Sequence, residues 1–123
     1  MNIVDSSGWL EYFANDTNAE KFAPAIQKIE KLIVPTISLY EVFKKVLSQR
    51  DEGQALRAIA VMQQAQVVEL TNSIALTAAK ISIDYKLPMA DSIMLSTARL
   101  YNAILWTQDN DFEGIDGVKY FCK

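Results

Sequence analysis

Residues 2–13 read NIVDSSGWLEYF, and this stretch decides the fold class. It begins with a short apolar run that ends in the carboxylate of Asp5, so the run predicts a strand with an acid at its end. Ser6 and Ser7 follow, and serine is a frequent helix cap. Gly8 and the apolar and aromatic residues Trp9, Leu10, Tyr12 and Phe13 then suggest a helix. The stretch therefore predicts a strand that leads directly into a helix.

The same alternation of strand and helix continues to the end of the chain. Short apolar runs predict further strands at residues 32–34, 67–70, 103–107 and 118–121. Helical periodicity lies between them, and caps are predicted for two helices: Thr17 with Glu20 as a capping box, and Asn72 or Ser73 as an N-cap. Strands that alternate with helices form βαβ units. We therefore expect an α/β fold, with a central, mostly parallel sheet of four to five short strands and helices on both faces.

The composition indicates one domain over residues 1–123, since 50% of the residues are hydrophobic and no repeat or linker divides the chain. The longest stretch without a charged residue, residues 58–68, is shorter than the ~20 apolar residues that a membrane span needs. The amino terminus lacks the pattern of a signal peptide, and the lone Cys122 excludes an internal disulfide. We expect a cytoplasmic protein without a membrane partner.

The charge and the ligand types limit the chemistry. A net charge of −3 argues against nonspecific nucleic-acid binding, which depends on Lys and Arg neutralising phosphates. Carboxylates that bind a metal would, however, lower the net charge while presenting a cation to the substrate. The chain has no His and one Cys, so a metal site would rely on oxygen ligands. Such ligands suit Mg²⁺ or Mn²⁺ better than zinc.

Acidic residues are placed to supply such ligands. In a parallel sheet the carboxyl ends of the strands form one edge, and the helix after each strand begins there. Asp5 ends the first strand, Glu41 lies near the start of the helix after the second strand, and Asp109 follows the fourth strand. Asp91 lies in the first turn of a helix that also begins at this edge, and Asp111 lies two residues beyond Asp109. We expect these acids to converge and to bind an ion that activates water and stabilises a leaving oxygen.

Each acid also has a local explanation that needs no active site. Asp5 could cap the first helix, and Glu41 could form a capping box with Ser38. Asp91 could interact favourably with a helix dipole. The acids of residues 107–112, TQDNDF, could belong to a turn. Only their joint position at one edge favours a site.

Four stretches of this sequence resemble the PIN-domain family, and within it the VapC toxins of bacterial and archaeal toxin–antitoxin pairs. They are IVDSS (residues 3–7), VPTISLYEV (34–42), LPMADS (87–92) and TQDNDF (107–112). Together they span nearly the whole chain in the order that the family has. The resemblance implies a PIN-like three-layer fold.

The resemblance also implies roles for individual residues. The catalytic acids that it implies are Asp5, Glu41, Asp91 and Asp109. These acids would hold Mg²⁺ or Mn²⁺ as the cofactor, and Asp111 matches a further acid of the metal site. Ser7 and Thr107 match small hydroxyl residues that support the acids, although an ordinary helix cap or strand-end hydroxyl is an equal alternative.

The function implied is that of a metal-dependent endoribonuclease, a hydrolase that acts as the toxin of a VapBC-type module. Its expected partners are transfer or ribosomal RNA as substrate, a cognate VapB-like antitoxin, and a second copy of the chain in a homodimer. Lys44, Lys45 and Arg50 follow Glu41 and could touch substrate phosphates, although a solvated helix face is the default expectation for them.

Other functions fit the sequence less well. The alternative from another class is a noncatalytic PIN-like module that binds RNA or protein. A phosphatase with an aspartyl nucleophile is disfavoured, since Ser7 stands where a second Asp would be needed. A phosphoacceptor receiver domain is disfavoured in the same way, because no adjacent pair of acids ends the first strand.

Overall fold

The computed structural model describes every residue from Met1 to Lys123 and alternates strands with helices. The strands are β1 (Asn2–Val4), β2 (Leu32–Pro35), β3 (Gln66–Val68), β4 (Ile104–Thr107) and β5 (Val118–Tyr120). The helices are α1 (Ser6–Ala14), α2 (Ala19–Gln27), α3 (Thr36–Gln49), α4 (Glu52–Met62), α5 (Asn72–Tyr85) and α6 (Met89–Leu100). Short 3₁₀ turns cover Ile29–Lys31 and Asn110–Phe112. None of the helices combines the length and the apolar character that crossing a membrane requires.

All five strands pair in parallel, in the order β3-β2-β1-β4-β5. β1 is the central strand, and Ile3 pairs with Ile33 on one side and with Leu105 on the other. Because every strand runs in the same direction, all carboxyl ends lie at one edge of the sheet. The predicted α/β fold class is therefore confirmed, and the sheet is entirely rather than mostly parallel.

Two apolar cores cover the two faces of this sheet. Ile3 belongs to the core that α5 and α6 close, whereas the next residue, Val4, belongs to the core that α1, α2, α3 and α4 close. Neighbouring residues of a strand point to opposite faces, so a strand with both faces covered is apolar at consecutive positions. The run Ile33-Val34 follows the same rule, and both side chains are fully buried. This explains why the strands have continuous rather than alternating apolar residues.

Three local predictions are wrong. The capping box of Thr17 and Glu20 does not form, because Thr17 hydrogen-bonds to Asp16 and α2 begins at Ala19, without a side-chain cap. α5 is capped by the hydroxyl of Thr71, which accepts a hydrogen bond from the Ile74 amide, rather than by Asn72 or Ser73. The third strand ends at Val68 and does not extend to Leu70, whose side chain is exposed.

The close approach of α1 to the sheet depends on Gly8. A Cβ atom at Gly8 would lie 2.7 Å from Cγ1 of Val4 and 2.7 Å from Cε1 of Phe22, and both of these side chains are fully buried. We predict that Gly8→Ala lowers the free energy of unfolding. Overpacking a core typically costs about 1–3 kcal/mol, and alanine regains at most about 1 kcal/mol of helix propensity. Urea unfolding measured by circular dichroism tests this prediction.

Gly53→Ala in α4 is the matched control. A Cβ atom there would meet nothing closer than 3.4 Å, and Gly53 is exposed. This variant is expected to be as stable as the wild type or more stable by up to about 1 kcal/mol. Equal stability of Gly8→Ala and Gly53→Ala would contradict the tight packing of α1.

Candidate metal centre

Asp5 lies at the carboxyl end of the central strand and is buried, with 4% of its surface exposed. Its Oδ1 accepts a hydrogen bond from the Ser6 amide at 2.8 Å, as in a helix cap. Its Oδ2 accepts hydrogen bonds from the hydroxyls of Ser7 and Thr107, both at 2.9 Å. Asp5 thus caps α1 and is also held by β4. Both hydroxyl residues predicted to support the acids therefore contact this carboxylate.

The structure brings Asp91 and Asp109 to Asp5. One carboxylate oxygen from each of these three residues lies within 4.8 Å of the other two. Asp91 lies in the first turn of α6 and is partly buried. Asp109 follows β4, and its amide donates a hydrogen bond to Oγ1 of Thr107 at 3.0 Å. Thr107 therefore connects Asp5 to the backbone of Asp109.

Glu41 lies beside this group and outside the three-carboxylate cluster. Its Oε1 accepts a hydrogen bond from the Ser6 hydroxyl at 2.7 Å, which links α3 to the start of α1. The alternative capping box with Ser38 does not form, because α3 begins at Thr36 and the Ser38 hydroxyl donates to Sδ of Met94 instead. The orientation of Glu41 is thus set by a contact across the site.

Asp111 is the most peripheral of the predicted acids. Its side chain is exposed, and it lies outside the three-carboxylate cluster. Its backbone amide donates a hydrogen bond to Oδ1 of Asp109 at 3.0 Å, which closes the short 3₁₀ turn after β4. The turn chemistry predicted for residues 107–112 is therefore present, and it orients the Asp109 carboxylate.

The carboxylates raise one another's proton affinity. Burial raises the pKa of Asp5 to about 6, although the hydrogen bonds from Thr107 and Ser7 act in the opposite direction. The pKa of Asp91 is raised to about 7, most strongly by burial and in addition by the negative charges of Asp5, Asp109, Glu41 and Asp111. The only ion pairs in the structure join Lys123 to Glu11 and Asp16, so no Lys or Arg compensates the cluster.

A polar network that joins α1 to the segment carrying Asp109 was not predicted from the sequence. Glu11 of α1 is buried and accepts hydrogen bonds from the Asn18 amide, from Gln108 and from Lys123. Burial raises the pKa of Glu11, but these hydrogen bonds outweigh burial and hold that pKa below its usual value. Gln108 lies between Thr107 and Asp109, so the network anchors the segment that carries Asp109. The sequence feature that could have predicted this network is the position of Glu11, three residues after Gly8 and so on the inward face of α1.

The donor set of the cluster fits a hard divalent cation. Three carboxylates converge without a compensating base, and close carboxylates resist joint ionisation unless a cation lies between them. The chain has no His, and its single Cys is exposed near the last residue. Oxygen-only sites favour Mg²⁺ or Mn²⁺ over zinc.

The model of the PIN-domain family matches residues 3–118 of this chain. The chain belongs to the PIN-domain family. PIN domains commonly bind a divalent metal, and the three-carboxylate cluster could hold one in this PIN domain. No curated protein sequence matches the chain.

Solved structures share the fold of this PIN domain. A toxin–antitoxin complex from Klebsiella pneumoniae has a chain with a TM-score of 0.81 and 23% identity, and the match covers 97% of this chain and 96% of that one. VapC20 from Mycobacterium tuberculosis, a toxin that cleaves the sarcin-ricin loop, has a TM-score of 0.78 and 16% identity, with 94% and 95% covered. DNA-bound VapBC from Salmonella typhimurium has a TM-score of 0.75 and 14% identity, with 99% and 100% covered.

The raised pKa values predict how the stability of the metal-free PIN domain depends on pH. The pKa of an unfolded Asp is about 3.9, so between about pH 4 and pH 7 the folded state binds more protons than the unfolded state. The free energy of unfolding should therefore fall as the pH rises through this window. In the wild type, Asp91 should contribute on the order of 2 kcal/mol to this fall in the free energy of unfolding, and we predict that Asp91→Asn removes that contribution. At about pH 8 the variant should melt no lower than the wild type. Thermal unfolding in chelator at several pH values measures this.

Asp116→Asn is the matched control for this prediction. Asp116 is exposed and precedes β5, so it lies at the edge of the sheet opposite the cluster. Its variant should keep the pH dependence of the wild type. If Asp91→Asn keeps the pH dependence of the wild type and melts several degrees lower, Asp91 stabilises the start of α6 and does not contribute to repulsion in the cluster.

Proposed function

We propose that this PIN domain is a Mg²⁺- or Mn²⁺-dependent endoribonuclease that hydrolyses phosphodiester bonds in RNA. One observation carries the proposal: carboxylate oxygens of Asp5, Asp91 and Asp109 lie within 4.8 Å of one another, without a neutralising base. Such a site concentrates negative charge at the edge of a parallel sheet, where ligands of α/β proteins bind. A divalent ion turns this charge into an attraction for a phosphate.

The proposal assigns each residue of the site a role. Asp5, Glu41, Asp91 and Asp109 are the catalytic acids, and Asp111 is a further acid of the metal site. When bound, Mg²⁺ or Mn²⁺ supplies Lewis acidity, activates water and stabilises the leaving oxygen. Ser7 and Thr107 keep the Asp5 carboxylate in one orientation through their hydrogen bonds to Oδ2. Preorganisation of this kind reduces the reorganisation needed when the substrate binds.

The protein is further proposed to be the toxin of a VapBC-type pair in the cytoplasm. The support is structural likeness, because several similar solved structures are VapBC or other toxin–antitoxin complexes. A VapB-like antitoxin would then cover the acidic edge with a basic segment, and two copies of the chain would form a homodimer. Ribosomal or transfer RNA is the proposed substrate, and VapC20, which shares the fold, cleaves the sarcin-ricin loop.

We predict that the purified protein cleaves structured RNA with Mg²⁺ or Mn²⁺ and not in excess chelator. Asp91→Asn should lower the cleavage rate by at least about a hundredfold, because the loss of one preorganised charged group typically costs about 10²–10³ in rate. Gel analysis of the products, followed by sequencing of the RNA ends, measures the rate and locates the cleavage site.

Asp116→Asn again provides the control and should cleave at the wild-type rate, because Asp116 lies at the opposite edge of the sheet. Asp111→Asn should retain more activity than Asp91→Asn, since Asp111 lies outside the three-carboxylate cluster. Cleavage that persists in chelator or in Asp91→Asn would exclude this mechanism. Metal-independent RNA binding without cleavage would instead favour a noncatalytic PIN-like module.

A further inference from the structure

The exposed side of α3 continues from Glu41 with an aromatic ring and a series of cations. Tyr40 precedes Glu41 and is 58% exposed, although large aromatic residues are usually buried. Lys44 lies one helical turn beyond Tyr40, with its Nζ 5.6 Å from the centre of the ring. Lys45 lies four residues beyond Glu41, about 6 Å further along the helix axis. Arg50 follows directly after the last residue of α3. We call the segment from Tyr40 to Arg50 the α3 flank.

Two cavities on the α3 flank share Lys45, and each is lined by residues that neighbour the acidic cluster. One has a volume of about 370 Å³ and is lined by Tyr40, Glu41, Lys44, Lys45 and Ser48. The other has a volume of about 490 Å³ and includes Ser7, Lys45, Arg50 and Gln108 in its lining. Ser7 hydrogen-bonds to Asp5, and Gln108 precedes Asp109. A chain-like ligand could thus pass from the cluster along Lys45 in either cavity.

The cations of the α3 flank are not paired with carboxylates, although Lys44 donates a hydrogen bond to the Tyr40 hydroxyl at 3.4 Å. Neither Lys44, Lys45 nor Arg50 has a carboxylate within ion-pair distance, whereas Lys123 is paired with Glu11 and Asp16. Unpaired cations beside an acidic cluster are unexpected in a chain with a net charge of −3, because ion pairs across the boundary would lower the electrostatic energy. A polyanion whose scissile phosphate lies at the metal site would meet these cations with its neighbouring phosphates.

We propose that the α3 flank is a binding track for single-stranded RNA, in which an unpaired base stacks on Tyr40 and Lys45 contacts a phosphate next to the one at the acidic cluster. Arg50 extends the track by contacting a phosphate further along the strand. This inference rests on the proposed function, because the track leads to the proposed site of cleavage. A tyrosine face can stack only on a base that is not covered by its neighbours in a duplex, so the track selects loops or single strands.

The charge of the α3 flank disfavours a different occupant of this surface. A basic protein segment, such as the one proposed to cover the acidic edge, would be repelled along the α3 flank by Lys44, Lys45 and Arg50. An RNA strand, in contrast, can use both the stacking surface and the cations at once. Exposed aromatic rings interleaved with cations are the usual means by which proteins bind single strands.

The test measures RNA binding separately from cleavage. The probe is a short, unstructured, fluorescently labelled RNA, and an RNA duplex of equal length serves for comparison. Both RNAs are titrated with the full chain in the presence of Mg²⁺. The chain carries Asp91→Asn to prevent cleavage. In this background Tyr40→Ala should weaken binding of the single strand by about 5- to 150-fold, the effect of losing one stacked base. Lys45→Gln should weaken binding and also flatten the slope of log affinity against log salt by about 0.7, the contribution of one phosphate contact to a single strand.

Matched variants at the opposite edge of the sheet control for nonspecific effects. Tyr101, which caps the carboxyl end of α6, and Lys31, which precedes β2, are both exposed. Tyr101→Ala and Lys31→Gln should bind the single strand as tightly as the parent. Melting temperatures of all four variants should equal that of the parent, because the substituted side chains are exposed.

The outcomes separate this inference from the proposed function. Weakened binding in Tyr40→Ala and Lys45→Gln supports the track even if the wild-type protein fails to cleave RNA, a failure that overturns only the proposed function. Variants that bind like the controls overturn the track even if cleavage is metal-dependent. The track is also overturned if the parent binds no single strand, if it binds the duplex as tightly, or if the two variants lose binding to a protein partner while RNA binding is unchanged.

Discussion

The buried carboxylate of Asp5 connects the fold to the site. Hydrogen bonds to this group come from Ser6 and Ser7 at the start of α1 and from Thr107 at the end of β4. Ser6 also binds Glu41, and Thr107 also binds the backbone of Asp109. These hydrogen bonds at the start of the first helix therefore also orient the acids of the site. Parallel pairing makes this possible, because it brings the carboxyl ends of β1, β2 and β4 to one edge.

The clustered carboxylates lower the stability of the metal-free protein. The carboxylates of Asp5 and Asp91 are ionised less readily than in an unfolded chain. At neutral pH, each of them therefore lowers the free energy of unfolding of the metal-free protein. Two apolar cores, one on each face of the sheet, compensate for this loss. A cation bound only by the folded state would restore stability through mass action. Raised pKa values of carboxylates in a cluster without a compensating base are common at functional sites.

Local sequence patterns predicted the features that depend on neighbouring residues, and they failed where distant residues compete. The strand ending in Asp5, the helix beginning near Asp91 and the alternation of strands with helices all follow from short-range periodicity. The capping box of Ser38 and Glu41 was an equally good local pattern, but Met94 and Ser6 take these two side chains. The Glu11 network joins α1 to Lys123, at the other end of the sequence, and no local pattern contains that contact. The exposed face of α3 was likewise predicted only as a set of basic residues, because the cavities around Lys45 arise from packing.

The central claim is that Asp5, Asp91 and Asp109 together bind a divalent cation that makes this PIN domain a nuclease. Anomalous X-ray scattering from crystals equilibrated with Mn²⁺ tests this claim most directly, because it locates the ion without assumptions about the substrate. The account predicts an anomalous peak for a Mn²⁺ ion that is coordinated by carboxylate oxygens of all three residues. A well-ordered cluster without a peak at saturating Mn²⁺, or Mn²⁺ bound only elsewhere, would contradict it.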